Sequence, residues 1–521
     1  MTLPLTHTPG VFVTEGKTGP SPGEFVTFET LFITGPSLRG PVANNTQLPV
    51  ELSDIEQFEA LFKGAPGSNV RATILQWFEH GGIGSVYFSR VAGVGALAAT
   101  ADLDDSGGNT VITLTSKGPG ADYNFAASPA KGLSALYDAT TQILTILDAG
   151  IPVENFADVD FNQASRVEDF VNGRSNLVKL TWVDKTKNPI TTASAAQLLG
   201  GSDGAAVAAS DIVGADATKT GVFSFARKTD KLPLGFVCAP GYHQQVVGNA
   251  LISVAENYRR IALQHNAFGL SLSQLVTDRN LYASPFGKAV YVAGWVKQPD
   301  PSQNNALVWF PRVGMRAALI SRSHLQENSI ANVGAGLQFN ARSTVEYEYD
   351  FVDDILQSDL NRRGIDLLRD FSSEGQGRVQ WSARTISTDV LYRFVNVPIT
   401  ANILAVSIEQ SLKQYVFGVI NGKDKGLPWA VKTTLEQMLW LVWDSGALFG
   451  ATPREAFKVE IKGNALLLEN GVLPVKVFFK PSVPAERIPV QLLRMQIGYN
   501  PVTGEVNIGN LDLAPDSALA A

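Results

Sequence analysis

The alternation of hydrophobic and polar positions is clearest between Trp381 and Arg494. Within that stretch, Leu427 to Gly450 places Val431, Leu435, Met438, Leu439 and Val442 three and four residues apart, the spacing of a helix with one buried face. Pro428 suits a first turn, where a missing N–H costs nothing, and Gly446 or Gly450 can supply the left-handed residue that ends a helix. Two runs rich in Val, Ile and Phe follow, Phe457 to Ile461 and Val472 to Phe479, and both predict strands. Upstream, Asp350 to Phe371 carries helical spacing at Ile355, Leu356 and Leu360 and is interrupted at Gly364. Gln380 to Ile386 reads as a strand. Ile399 to Phe417 reads as an amphipathic helix through Ile403, Leu404, Ile408, Leu412 and Tyr415, and Leu492 to Ile497 closes the region.

The first half has a different texture. Phe25 to Thr34 alternates toward a strand, and the GPSLRGP stretch at Gly35 to Pro41 is a turn-rich loop. Ser53 is placed to cap a helix, DIEQFEALF, with Glu56 completing a capping box. Asn69 is placed to cap a second helix, Val70 to His80, which Gly81, Gly82 and Gly84 break before a buried strand, Ser85 to Val91. From about Gly93 to Asp211 the chain turns to Gly, Ala, Ser, Thr and Asp, with short strands at Thr110 to Thr115, Gln142 to Leu147 and Leu177 to Trp182. The α/β alternation then resumes: strand Leu234 to Val237, helix Gly248 to Arg260, strand Ala289 to Val296, helix Arg312 to Ser323. No fixed period recurs, which excludes a solenoid or propeller.

These patterns predict a multidomain chain of mixed α/β and α+β class. A mixed-sheet α/β body spans 25–92 and 212–349, an inserted β-rich domain spans 93–211, and a helix-plus-sheet domain spans 350–497. Residues 1–24 hold four prolines and four glycines around Val11, Phe12 and Val13. Such a segment builds no core of its own and reads as an extended arm that adds a strand to another surface. Residues 498–521, with Val502, Val506 and Ile508, read the same way.

Composition narrows the function. A chain of 521 residues has length for three or four domains at about 150 residues each. Charged residues make up only 17% against 45% hydrophobic, a balance that suits permanent burial against neighbouring subunits. The net charge of -7 and the lack of a concentrated basic footprint argue against direct nucleic-acid binding. Cys238, the single cysteine, excludes an intrachain disulfide and sits in an apolar run, LGFVCAPG, as a small hydrophobe. The N-terminal residues lack the basic and apolar regions of a secretory signal, and no apolar run reaches the roughly 18 residues of a membrane span.

Catalytic patterns are missing. His7, His80, His243, His265 and His324 show no metal-ligand spacing, so no metal is expected. The stretch Gly35 to Gly40 lacks the nucleophile-elbow spacing, Gly93 to Ala98 does not open a helix as a dinucleotide fingerprint would, and no phosphate-binding loop is present. No catalytic residue and no cofactor is expected. The acidic pairs Asp104–Asp105 and Asp353–Asp354 leave one alternative open, a hydrolase or carbohydrate-binding protein using the α/β body with its β-rich module.

Several stretches, taken in order, resemble the contractile tail sheath family of bacteriophages and related injection systems. They are TPGVFV at Thr8 to Val13, GPSLRGP before DIEQFEALF, FEHGGIGSVYFSRV at Phe78 to Val91, LLGGSDG at Leu198 to Gly204, CAPG at Cys238 to Gly241, WSARTIS at Trp381 to Ser387, YRFVNV at Tyr392 to Val397 and GALFGATPREAF at Gly446 to Phe457. The chain departs from the family's usual wording at Pro398 and Ile399, where basic residues commonly follow the VNV strand. The resemblance implies a non-enzymatic structural subunit, stacked in hexameric rings around an inner tube, in a virion tail assembled in a bacterial cytoplasm or in an injection particle. Its implied partners are further copies of itself, the inner tube protein, and baseplate and tail terminator proteins. The arms would exchange strands between subunits through Val11, Phe12, Val13, Val502, Val506 and Ile508. Trp381, Arg384, Trp429, Leu435 and Met438 would belong to the inner domain's core or its tube-facing region, with the inserted domain facing outward.

Overall fold

The computed structural model describes residues 26–161, 166–326, 329–420, 426–461 and 468–490, and the backbone of 498–499 and 506–507. The described residues up to Pro484 form one compact unit, and those from Ala485 belong to a second. In the second, Gly498–Tyr499 pairs antiparallel with Val506–Asn507.

The first unit is built on a seven-stranded sheet. Its spatial order is Ile365–Asp366, Ala289–Val292, Ile261–His265, Leu234–Cys238, Phe28–Gly35, Val86–Arg90 and Val50–Leu52. Every pairing is parallel except that of the last strand. Successive strand residues point to opposite faces, so a parallel sheet covered on both sides needs apolar residues at almost every position. Phe32, Val237, Ala262 and Tyr291 accordingly join a core with Val247, Leu251 and Val254 of the helix Gln245–Asn257. Their neighbours Leu31, Ile33, Phe236, Leu263 and Val290 join a second core with the helices Asn69–Glu79, Val313–Gln326 and Asn396–Leu412.

Residues 98–198 build a third core of their own. One antiparallel sheet orders Val178–Trp182, Thr110–Pro119 and Ala98–Asp104, and another orders Ile151–Phe156, Ile143–Asp148, Leu133–Asp138 and Ala196–Gln197. Tyr137, Phe161 and Trp182 meet edge to face in this core at 5.2 Å spacings, the arrangement that the aromatic quadrupole favours.

Local chemistry moves several expected boundaries. Asp54, not Ser53, caps the helix Ile55–Leu61 by accepting from the Gln57 N–H at 2.7 Å, and Gln57 rather than Glu56 answers by accepting from the Ser53 N–H at 2.8 Å. Ser68, not Asn69, caps the next helix, its hydroxyl accepting from the Arg71 N–H. The expected strand Ala289 to Val296 divides at Gly294, whose φ of +85 turns Trp295–Asp300 into a separate small sheet. The expected helical stretch Asp350 to Phe371 is helical only over Asp354–Arg362. After Gly364, Ile365–Asp366 enters the central sheet and Leu368–Phe371 pairs with Gly377–Gln380. The expected strand from Gln380 to Ile386 is therefore the end of one strand followed by an extended connection with a single bridge, Arg384 to Phe394. Val395 to Val397 is a helix entry rather than a strand. The helix runs Asn396–Leu412, and Pro398 lies in its first turn, where its missing N–H has no intrahelical partner to lose.

Asp366 carries the most heavily buried electrostatics. It accepts from Arg312 Nη2 at 2.7 Å and Arg316 Nε at 2.9 Å, and all three side chains are fully buried. The remaining guanidinium donors reach Ala293 O, Gln380 Oε1, Val333 O, Gly334 O and Ser382 O. Burial still lowers the Arg316 pKa, with the Asp366 charge opposing it. Replacing Asp366 by Asn leaves two buried cations without a countercharge. Asp366→Asn is expected to cost about 3–5 kcal/mol, read as a lower denaturant midpoint at unchanged slope.

Three histidines are buried and held neutral. His80 Nδ1 donates to Gln76 O while Nε2 accepts from the Arg342 N–H, and His265 Nε2 accepts from the Gly241 N–H. Desolvation pushes His80, His265 and His324 down to about 4. Above pH 6.5 neither folded nor unfolded chain protonates them. Between 6.5 and about 4 only the unfolded chain does, so stability is lost as pH falls through that window, by on the order of 3 kcal/mol per histidine. Denaturation midpoints measured from pH 7 to 4 should fall, and His80→Gln should make the fall shallower.

Candidate functional site

The C-terminal part of the first unit holds a hairpin of two strands, Phe457–Ile461 and Val475–Phe479, paired antiparallel with Val459 opposite Val477. The second strand starts three residues later than the sequence pattern suggests. One face of the hairpin packs on a fourth core: Val459 is buried and Val475, Val477 and Phe479 are partly buried against Val431, Leu435, Leu439 and Val442 of the helix Leu427–Asp444. The other face carries Lys458 and Lys476, with Phe478 half exposed. An isolated two-stranded hairpin is marginal in water, and the helix beneath supplies the missing support.

Among the described residues, each strand of the hairpin pairs on one edge only. Each therefore presents a row of backbone donors and acceptors that another strand can complete. The chemistry of this site is main-chain hydrogen bonding, with Val, Phe and Lys side chains setting which strand fits.

The residues singled out in the sequence separate into groups. Leu435 and Met438 are fully buried on the inward face of the helix Leu427–Asp444. Trp429 lies on its outward face, 41% exposed, and Trp440 and Leu441, about three turns further along the helix, are also exposed; periodicity passed over them because they fall outside the buried stripe. Trp381 is 40% exposed and meets Phe371 edge to face at 4.8 Å, while its carbonyl accepts from Gln357 Nε2. Arg384 is buried at the bridge to Phe394. Val506 lies in the strand pairing with Tyr499. Val11, Phe12, Val13, Val502 and Ile508 lie outside the described residues, as does Leu492 to Ile497.

The acidic pairs have local duties. Asp105 closes a turn by accepting from the Gly107 and Asn109 N–H groups and from Lys187 Nζ, and the Lys187 hydrogen bond leads the effects that hold its carboxyl far below the usual range. Asp353 caps the helix Asp354–Arg362, and Asp354 pairs with Arg369. The crevice at the carboxyl ends of the central strands, where open α/β sheets hold ligands, has a volume of about 500 Å³ and is lined by Ser37, Ser68, Asn69, Gly241 and Tyr242 among others. No carboxylate, imidazole or thiol lines it. Among the described residues no group of three or more His, Cys, Asp or Glu is placed to hold a metal, and no helix is long and apolar enough to cross a membrane.

The fold of this chain is similar to that of solved sheath proteins from contractile systems. A sheath tail protein from Listeria innocua is similar over 89% of this chain and 96% of its own, with a TM-score of 0.59 at 11% identity. The sheath of an extracellular contractile injection system, PVC, in its contracted state is similar over 94% and 98%, with a TM-score of 0.54 at 14% identity. The helical sheath of the anti-feeding prophage in its contracted state is similar over 94% and 100%, with a TM-score of 0.53 at 14% identity. No family model and no curated protein matches the sequence.

Leu435→Ala empties a fully buried site beneath the hairpin and is expected to cost about 2–5 kcal/mol. Trp429→Ala, on the exposed face of the same helix, should shift stability by less than about 1 kcal/mol. Thermal and denaturant unfolding of the two variants checks the contrast.

Proposed function

We propose that the chain is a structural, non-enzymatic subunit of a contractile tail sheath. The observation that carries this reading is its similarity to sheath folds along nearly its whole length. In this reading 25–92 with 212–349 is the middle domain, 93–211 the outer domain, 350–497 the inner domain, and 1–24 and 498–521 the arms. Copies stack as hexameric rings around an inner tube, with baseplate and terminator proteins at the ends. The particle is a phage tail formed in the host cytoplasm, or a related injection device.

The two open hairpin edges are the receptors for two arms. Val11, Phe12 and Val13 from one neighbour and Val502, Val506 and Ile508 from another would extend the hairpin into a four-stranded sheet. Main-chain pairing of this kind survives rigid rotation of the bodies it links, so the mesh holds while packing between bodies changes. Contraction then draws on better packing in the shorter state and needs no nucleotide site. Trp381, Trp429 and Arg384 fall to the inner domain near the tube, and Leu435 and Met438 to its core. The hydrolase alternative gains nothing from Asp105, which serves a turn, from Asp353, which caps a helix, or from Asp354, which pairs with Arg369.

Deletion of residues 1–22 should leave a body with unchanged circular dichroism and cooperative unfolding that no longer forms long tubes. Long tubes of the truncated chain in electron micrographs would remove the basis for the arm.

A further inference from the structure

The β-rich segment is attached to the α/β body in two physically different ways. The first is continuous with the chain. Its entering and leaving strands form a ribbon in which Leu97 pairs with Ser202 and Thr100 with Leu199, each through two hydrogen bonds of 2.9 Å. Glycine is required there: a Cβ on Gly93 would lie 1.7 Å from Ala205 O, and Gly204 has a φ of +70. Beside the ribbon, Arg90 Nη1 donates to Gly40 O at 2.7 Å and Pro119 O at 2.6 Å, and the Gly40 N–H donates to Tyr123 Oη.

The second attachment is ionic. Arg39 Nη1 donates to Asp148 Oδ2 at 2.6 Å, and Lys63 Nζ lies 3.3 Å from Asp122 Oδ2 and 3.4 Å from Asp148 Oδ2. Arg39 and Lys63 come from the body. Asp122 follows the strand Thr110–Pro119, and Asp148 opens the turn between Ile143–Asp148 and Ile151–Phe156, tying the four-stranded sheet to the body. The charges balance, yet the buried atoms Arg39 Nε and Asp148 Oδ1 have no hydrogen-bond partner, so the network is only partly satisfied. Two residues beside it are in the left-handed region without being glycine, Lys63 at φ 49 and Ala149 at φ 52. A groove of about 740 Å³, lined by Pro41 and Leu61 on the body and by Lys117, Asn172 and Lys179 on the β-rich side, leaves room for relative movement.

We propose that Arg39, Lys63, Asp122 and Asp148 form an electrostatic latch that fixes the angle of the β-rich segment against the α/β body, with the glycine-lined ribbon as its hinge. One attachment beside the chain crossings permits pivoting, and the second, ionic attachment sets the angle. The latch is a property of the single chain and stands whether or not the chain is a sheath subunit.

The test places spin labels at Thr140→Cys and Lys228→Cys, both exposed, in the full chain, where Cys238 is buried and unlabelled. The parent should give one narrow interspin distance. Arg39→Gln and Asp148→Asn should each abolish it in favour of a broad distribution, and the double variant should do little more than either alone, since both remove the Arg39–Asp148 hydrogen bond that closes the latch. Raising salt from about 0.05 to about 1 M should broaden the parent's distribution. An unchanged narrow distance in both folded single variants overturns the proposal. If either fails to fold, Lys63→Gln carries the test, since its side chain is about a third exposed: broadening supports the latch and an unchanged distance overturns it.

Discussion

Two arginines one helical turn apart share a single carboxylate in the interior, and much of the architecture is arranged so that they can. Burying Arg312, Arg316 and Asp366 leaves one positive charge in excess, which is tolerable only because carbonyls of 293, 333, 334, 366 and 382 and the Gln380 amide surround the guanidiniums. These groups come from four separate stretches of chain. Satisfying them fixes the edge strand Ile365–Asp366, the start of the helix Val313–Gln326 and the extended connection after Gln380 in one arrangement.

From there the consequences run outward. The helix Asn396–Leu412 divides its face between two cores: Ile399, Ile403 and Val406 pack beneath the sheet, while Leu404 joins the core under the hairpin. It thereby couples the rigid α/β body to the two-stranded hairpin. A hairpin held on one face by a helix is ordered enough to present its edges, yet its backbone there lacks partners among the described residues. The same molecule thus combines an over-determined interior with an under-completed rim.

The β-rich segment repeats this logic on a smaller scale. Its aromatic core is complete without the body, so its attachment has to come from glycine-lined chain crossings and a few charged and polar contacts. The LLGGSDG stretch makes sense there, because Gly201 and Gly204 allow the chain to pass close to the backbone of Gly120 and Ala96.

Periodicity marked the helix at Leu427 and the strands at Phe28, Val86, Leu234 and Phe457, because burial on one or both faces imposes a pattern that residues carry individually. Order of motifs along the chain pointed to the sheath fold. Periodicity passed over Ile261–His265, whose Gln264 and His265 are polar yet buried through hydrogen bonds to Gly248 O and the Gly241 N–H. It broke the helical pattern at Gly364 but did not mark Ile365–Asp366 as a strand, because two residues carry no period and only pairing with Tyr291 and Val292 makes that stretch an edge strand. The alternation of apolar residues is local and was readable from the sequence; the meeting of Arg312 and Arg316 with Asp366, and of Arg39 with Asp148, joins residues 50 to 109 positions apart, and only the packed chain decides it.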